Sequence, residues 1–224
     1  IFDNVFVPRE RIFNLGDPDP IGFYGHICAW AHWHVLTRLA VKAEIFVGCG
    51  ELVLDVLGTG RIPAVQAMLG ELIEYAQTLR AFIIAAEARA KPTEGEVMQP
   101  DVCILTAGRL YSIQHYPRII HVLQEMCGQG LVMRFGKRAF ENPEISERLA
   151  ELLPGHGVSG QVKEQLMNFI WDLTSSSLAG RVALFENVNS SPAPRLRERL
   201  FREYDRHDLA DLVRDLSGMP RPTA

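Results

Sequence analysis

Two short runs hold the densest set of potential ligands in this chain, His26-Ile27-Cys28 and His32-Trp33-His34. On a helix, Cys28 and His32 lie one turn apart and face together, whereas His32 and His34 diverge. A Cys–His pair at that spacing can bind a metal, but no third ligand follows at a matching spacing, so no metal site is assigned. The stronger reading is aromatic and His residues lining a cleft or a subunit contact. Gly128-Gln129-Gly130 is either a helix C-cap or a place where the backbone approaches a phosphate or an adenosine edge that a side chain would obstruct. Gln66 and Glu71, near the start of a helix, read as surface residues. Trp171-Asp172, Ser175-Ser176-Ser177 and Gly180-Arg181 form an unusual run for a helix interior. Small residues there permit close packing of another backbone, and Asp172 can pair with Arg181 or with a partner chain; structural and functional readings stay level. The chain carries no GxGxxG, no P-loop and no GxSxG elbow.

The elements that must position these residues are mostly long helices. Residues 1–21 read as a strand (Phe2-Asp3-Asn4-Val5-Phe6-Val7), a turn and a connector, Gly16-Asp17-Pro18-Asp19-Pro20, in which the prolines forbid ladder pairing. An opening on an edge strand with no partner strands suggests the back half of something larger. A first helix is predicted from Phe23 to Leu57, with Leu36, Leu39, Ala40, Ala43, Phe46 and Val47 at helical spacing and Gly58-Thr59-Gly60 ending it. Pro63 opens a second, to about Lys91, with Val65, Leu69, Leu72, Ile73, Ala76, Leu79 and Ile83 on its buried face. A third covers Pro100 to Cys127, with a kink or break expected at Pro117. A linker to Asn142, a short helix Pro143–Leu153 and a break at Pro154-Gly155-His156-Gly157 precede a fourth long helix, Gly160 to Asn187. Short charged helices follow at Pro194–Tyr204 and His207–Leu216. The expected domains are 1–21 (end of a β unit and connector), 22–217 (helical bundle) and 218–224 (a frayed tail). The fold class is all-α, a long antiparallel four-helix bundle. Helices this long expose more apolar surface than one bundle hides, so oligomerisation is expected.

Composition narrows the function. The 224 residues are 47% hydrophobic and 22% charged, with a formal net charge of -4, which weighs against a nucleic-acid surface. The run Arg195-Leu196-Arg197-Glu198-Arg199 is interleaved with acid and reads as a solvated helix face. No apolar run reaches the roughly 18 residues that a spanning helix needs. Cys28, Cys49, Cys103 and Cys127 form no CxxC pair, and three of them look like small core residues, which fits a reducing cytoplasm.

Phe2-Asp3-Asn4-Val5-Phe6-Val7-Pro8, Arg38-Leu39-Ala40-Val41-Lys42, Gln66-Ala67-Met68-Leu69-Gly70-Glu71, Trp171-Asp172, Gly180-Arg181 and Phe185-Glu186 occur in an order and spacing that resemble the C-terminal region of the 4-hydroxyphenylacetate 3-hydroxylase family. These are the oxygenase components of two-component flavin monooxygenases. The resemblance covers essentially the whole chain. It implies an architecture like that of the acyl-CoA dehydrogenases, a helical N-terminal domain, a middle β-barrel and a C-terminal bundle, of which this chain supplies the last strand and the bundle. It further implies a homotetramer built through these helices and FAD lying between barrel and bundle. By the same resemblance, Arg38 lies close to the flavin side, Gln66 matches a Gln opening the second helix, and Gly128-Gln129-Gly130 matches a Gly-rich turn near the cofactor's adenosine half.

A second branch of the family, of the 4-hydroxybutyryl-CoA dehydratase type, adds an iron–sulfur cluster. Trp33-His34 matches its aromatic–His pair and Lys42 its Lys, but Val41 stands where a ligating Cys belongs, and valine cannot hold iron. His34 remains the catalytic candidate, as a hydrogen-bond donor or proton relay on the substrate side of the flavin. The implied activity is ortho-hydroxylation of a small phenol with O₂ and FADH₂ supplied by a separate flavin reductase. The alternatives are a flavin-dependent acyl-CoA dehydratase or isomerase lacking the cluster, and a purely structural assembly module.

Overall fold

The computed structural model describes residues 1–16, 20–93, 95–189 and 191–220, the side chains of 20–26 excepted. Helix α1 (Pro20–Leu57) is the longest, and α2 (Pro63–Ala88) and α3 (Val102–Cys127) pack against it and each other. Then come α4 (Lys137–Glu141), α5 (Ser146–Leu152), α6 (Gly160–Thr174), α7 (Ser177–Val188), α8 (Ala193–Glu203) and α9 (His207–Ser217). Helix α6 lies against α1 and α3, α7 against α3, and α8 crosses α3. The bundle is therefore α1, α2, α3 and the α6–α7 pair.

Local chemistry fixes the ends. Gly58 takes φ +66° and lets Thr59 N–H reach back to the Leu54 carbonyl, closing α1. Pro63 occupies the first turn of α2, where no N–H is needed. Asp101 caps α3 by accepting from the Ile104 N–H at 2.9 Å. Inside, Leu36, Leu39 and Phe46 of α1 meet Leu72 and Leu79 of α2, Leu105 and Leu123 of α3, and Met167 and Ile170 of α6. Gly108 is one point where three helices approach closely. A Cβ there would lie 2.9 Å from both Leu36 and Phe82. Cys28, Cys49 and Cys127 are buried and all four cysteines are free.

The structure departs from the sequence reading in several places. Residues 1–16 form no strand; a single 3₁₀ turn, Arg9–Arg11, interrupts an exposed extended segment with Phe2, Phe6 and Phe13 in solvent. An edge strand with nothing to pair against has no ladder to join. The Pro18-Asp19 connector lies outside the described residues, and Pro20 already belongs to α1. Helix α2 stops at Ala88, because Lys91–Pro92 pairs antiparallel with Met98–Gln99 in a two-stranded hairpin that the sequence did not announce. Ile73, assigned to the buried face of α2, is 42% exposed. Pro117 brings no N–H for the carbonyl four residues back, yet α3 runs unbroken through it. The stretch after α3 holds two helices: α5 is the short helix expected at Pro143–Leu153, and α4 lies inside the expected linker.

The fourth long helix is also two. It breaks at Ser175-Ser176, where hydroxyls compete for backbone groups: Thr174 Oγ1 donates to the Ile170 carbonyl, and Ser176 Oγ accepts from the Ala179 N–H and so starts α7 afresh. Among the described residues no helix is long and apolar enough to cross a membrane.

Candidate functional site

His34, Arg38 and Lys42 recur every fourth residue and share one face of α1. Opposite them, in the last turn of α7, is Glu186, 148 residues from Arg38 in sequence and with its side chain only 2% exposed. Arg38 grips this carboxylate with both terminal nitrogens, Nη1 on Oε1 and Nη2 on Oε2 at 2.7 Å, while Lys42 Nζ donates to Oε1. Behind the pair sits Arg109 of α3, fully buried. Its Nη2 donates to the backbone carbonyls of Glu186 (2.5 Å) and Asn189 (2.7 Å), and its Nη1 to Ser112 Oγ (3.0 Å).

Aromatic rings close the surroundings. Arg38 lies over Phe185 at 5.2 Å and Lys42 over Tyr116 at 5.3 Å. Tyr75 stacks on Tyr111 at 5.9 Å, and Tyr111 on His115 at 3.9 Å. The Tyr75 hydroxyl is buried and has no hydrogen-bond partner among the described residues.

Burial alone would raise the Glu186 carboxyl, but the hydrogen bonds from Arg38 and then Lys42 outweigh it and hold the group below the usual carboxylate range. The Arg38 guanidinium is raised in turn, chiefly by its hydrogen bond to Glu186. Burial pushes both the Tyr75 and Tyr116 phenols well up, so both are neutral at ordinary pH. Two cations thus share one carboxylate, and a third, Arg109, holds the backbone behind it.

The sequence-predicted residues fall into two groups. His34, exposed, and Arg38, half-buried, lie together at the level of the charged cluster. Gln66 and Gly128-Gln129-Gly130 lie elsewhere. Leu36 and Phe82 face Gly108, whereas Leu69 and Met126 face Gly50, so the levels are separated by the helical rise from residue 36 to residue 50, about 21 Å. Gln66 is exposed and donates from Nε2 to the Gly60 carbonyl at 2.8 Å, bracing the α1–α2 turn. Gly128–Gly130 is a 3₁₀ turn at the end of α3 that begins with Gly128 at φ +53°. The Gly128 N–H caps α3 on the Gln124 and Glu125 carbonyls, and Gln129 is exposed. Glu71, at the surface as expected, pairs with Arg118.

Cys28 and His32 are both buried on α1, His26 lies outside the described side chains, and among the described residues no group of three His, Cys, Asp or Glu is placed to hold a metal. Asp172 and Arg181 make no ion pair with each other; Trp171 is instead covered by the Arg134 guanidinium at 4.1 Å. Sequence reasoning did not single out Arg109 or give Glu186 a role. Each carried a signal: a charged residue on an otherwise buried stripe, Arg109 one turn after Leu105 and Glu186 two turns after Ala179.

The comparisons with known proteins extend over nearly the whole chain. A 4-nitrophenol 4-monooxygenase/4-nitrocatechol 2-monooxygenase oxygenase component from Rhodococcus opacus is 32% identical over 222 residues, which are 97% of this chain and 42% of that protein. The oxygenase component of 4-hydroxyphenylacetate 3-monooxygenase, solved in complex with FAD and 4-hydroxyphenylacetate, superposes with a TM-score of 0.89 at 27% identity, over 96% of this chain and 46% of that one. An archaeal 4-hydroxybutyryl-CoA dehydratase from N. maritimus superposes with a TM-score of 0.91 over 100% of this chain and 45% of that one, at 17% identity, a likeness of fold alone. The chain spans less than half the length of these relatives. The family model described as 4-hydroxyphenylacetate 3-hydroxylase C terminal matches residues 23–218. The chain belongs to the 4-hydroxyphenylacetate 3-hydroxylase family, as its C-terminal helical region.

Proposed function

We propose that this chain is the FAD-contacting and oligomerisation domain of an aromatic monooxygenase that hydroxylates a small phenol ortho to its hydroxyl, using FADH₂ from a separate flavin reductase. The observation that carries this reading is the end-to-end match, in sequence and in fold, to oxygenase components of that kind. The dehydratase alternative has only the fold in common, and Val41, half in solvent, stands at its cluster-ligand position.

The residues present fit an anionic, aromatic cofactor. Arg38 and Lys42 offer positive charge on the face they share with His34, and Gln129 stands open between two glycines at the far level. When bound, reduced FAD supplies the electrons that activate O₂. Arg38 orients the cofactor's flavin side, while Gln66 and the backbone of Gly128-Gln129-Gly130 hold its adenosine half. His34 donates a hydrogen bond or moves a proton at its imidazole on the substrate side. The apolar residues around the bundle keep water away from the reacting face.

Assembly has its own support. Ile45, Leu52, Ile84, Phe169 and Leu184 are large, apolar and more than 40% exposed, a surface suited to contact between copies in a homotetramer. The cytoplasm is its proposed site of action, because the thiols are free.

The test uses the full-length protein. FADH₂ is titrated anaerobically, then O₂ and 4-hydroxyphenylacetate or 4-nitrophenol are added, and the catechol product is measured against flavin consumed. Product formed in proportion to FADH₂ is expected; tight flavin binding with no catechol from any phenol overturns the reading. Light scattering of the same sample reads the tetramer.

A further inference from the structure

The charged cluster leaves something over. Arg38 and Lys42 share one carboxylate, Glu186, and Arg109 sits on the backbone behind it; the nearby Tyr75 and Tyr116 are neutral phenols. Arg109 is sealed in, with its terminal nitrogens occupied by two carbonyls and a serine. The positive charge of the cluster reaches the surface through Arg38, with 31% of its side chain exposed, and Lys42, with 21%. Of the five N–H donors of the guanidinium, two are engaged with Glu186, and of the three of the ammonium, one. The remaining donors are held in fixed orientation by the bidentate grip below and by Phe185 and Tyr116 at the sides.

We infer that this face of α1 is an oxyanion-binding site in which Arg38 and Lys42 are the ligands and Glu186 is the positioning residue that sets them side by side. The inference rests on the reading above, in which Arg38 faces the cofactor, and adds Lys42, Glu186 and the chemistry of the ligand. An oxyanion of this kind is either a phosphate of the dinucleotide or the carboxylate of an aromatic acid substrate. A positioned pair of charge-assisted donors discriminates an anion from its neutral isostere by roughly ten- to a hundredfold.

Two ligand pairs separate the sources in the full-length protein: FAD against riboflavin, which lacks the phosphates, and 4-hydroxyphenylacetate against the neutral 4-hydroxyphenethyl alcohol. Dissociation constants are measured for the wild type, Lys42→Met and Glu186→Gln. In Lys42→Met the preference for the anionic member should fall about tenfold in one pair and stay unchanged in the other, and the pair that changes names the source. Glu186→Gln decides between positioning and bare charge. It makes the cluster more positive, so a site working by net charge alone would bind anions more tightly, whereas loss of the grip on Arg38 weakens them. Unchanged preferences in Lys42→Met, or tighter anion binding in Glu186→Gln, overturn the inference. Where Glu186→Gln does not fold, Glu186→Asp, too short to hold both cations, takes its place and should weaken the same pair. A wild type that binds neither flavin fails the monooxygenase reading itself, and the 4-hydroxyphenylacetate pair then still reads the site.

Discussion

The charged cluster on α1 and the glycine turn at the end of α3 are built on opposite principles. The cluster is made of side chains from three helices, α1, α3 and α7, brought together over long sequence distances and largely buried. The turn is made of backbone from three consecutive residues and lies at the surface. In the cluster, the atoms that hold the helices together are also the ones the proposed site would use to bind. At the turn, backbone hydrogen bonds between near neighbours hold the shape, and the Gln129 side chain stands open. Substitutions should separate the two.

The largest effect is expected from Arg109→Met. It strands the Glu186 and Asn189 carbonyls and takes a counter-charge from beneath Glu186, and should cost about 3–5 kcal/mol, read from urea unfolding. A loss below about 1 kcal/mol would mean that the cluster is not structural.

Glu186→Gln comes next, on the order of 2–3 kcal/mol at neutral pH. Its pH dependence has a definite sign. The folded carboxyl titrates below its ordinary value, so its contribution is present above the unfolded pKa of about 4.3 and is lost as pH falls through the folded value. Thermal melts of the wild type and the variant should therefore converge as the pH falls below about 4.3; a gap that does not narrow with acidification contradicts the assignment.

At the turn, Gly128→Ala places a Cβ at φ +53°, with open space around it. The strain costs about 1–3 kcal/mol in stability, and under the proposed function the added methyl also weakens FAD binding. Gln66→Ala loses one exposed hydrogen bond and should cost about 0.5 kcal/mol or less. Under the proposed function it nonetheless weakens flavin binding measured by fluorescence titration; unchanged binding would remove Gln66 from the cofactor's surroundings.

Much of the fold could be read from the sequence because its signals are local. Helices α1 and α3 end close to Gly58 and Gly128, α2 begins at Pro63, and their buried stripes follow the 3.6-residue period. The failures are competitions between local signals. Ser175-Ser176 sits in a helical pattern but offers hydroxyls to the backbone, and the hairpin at Lys91–Gln99 is too short to show alternation. The site was only half legible. Arg38 and His34 were reached through resemblance, and the turn through its glycines. Arg109 and Glu186 were visible as charges on buried stripes, but which charge meets which is decided by how α7 restarts after Ser176, and nothing in the spacing of residues 38, 109 and 186 records that.

Arg109 has one more consequence. The last turn of a short helix is ordinarily the first part of a protein to exchange its amide hydrogens, because nothing holds the final carbonyls. Here the closing carbonyls of α7 are fastened to a guanidinium rooted in the middle of α3. The end of α7 can open only when α3 releases it. These two stretches, some 80 residues apart in the chain, should therefore exchange together, as one cooperative unit, in native-state hydrogen exchange.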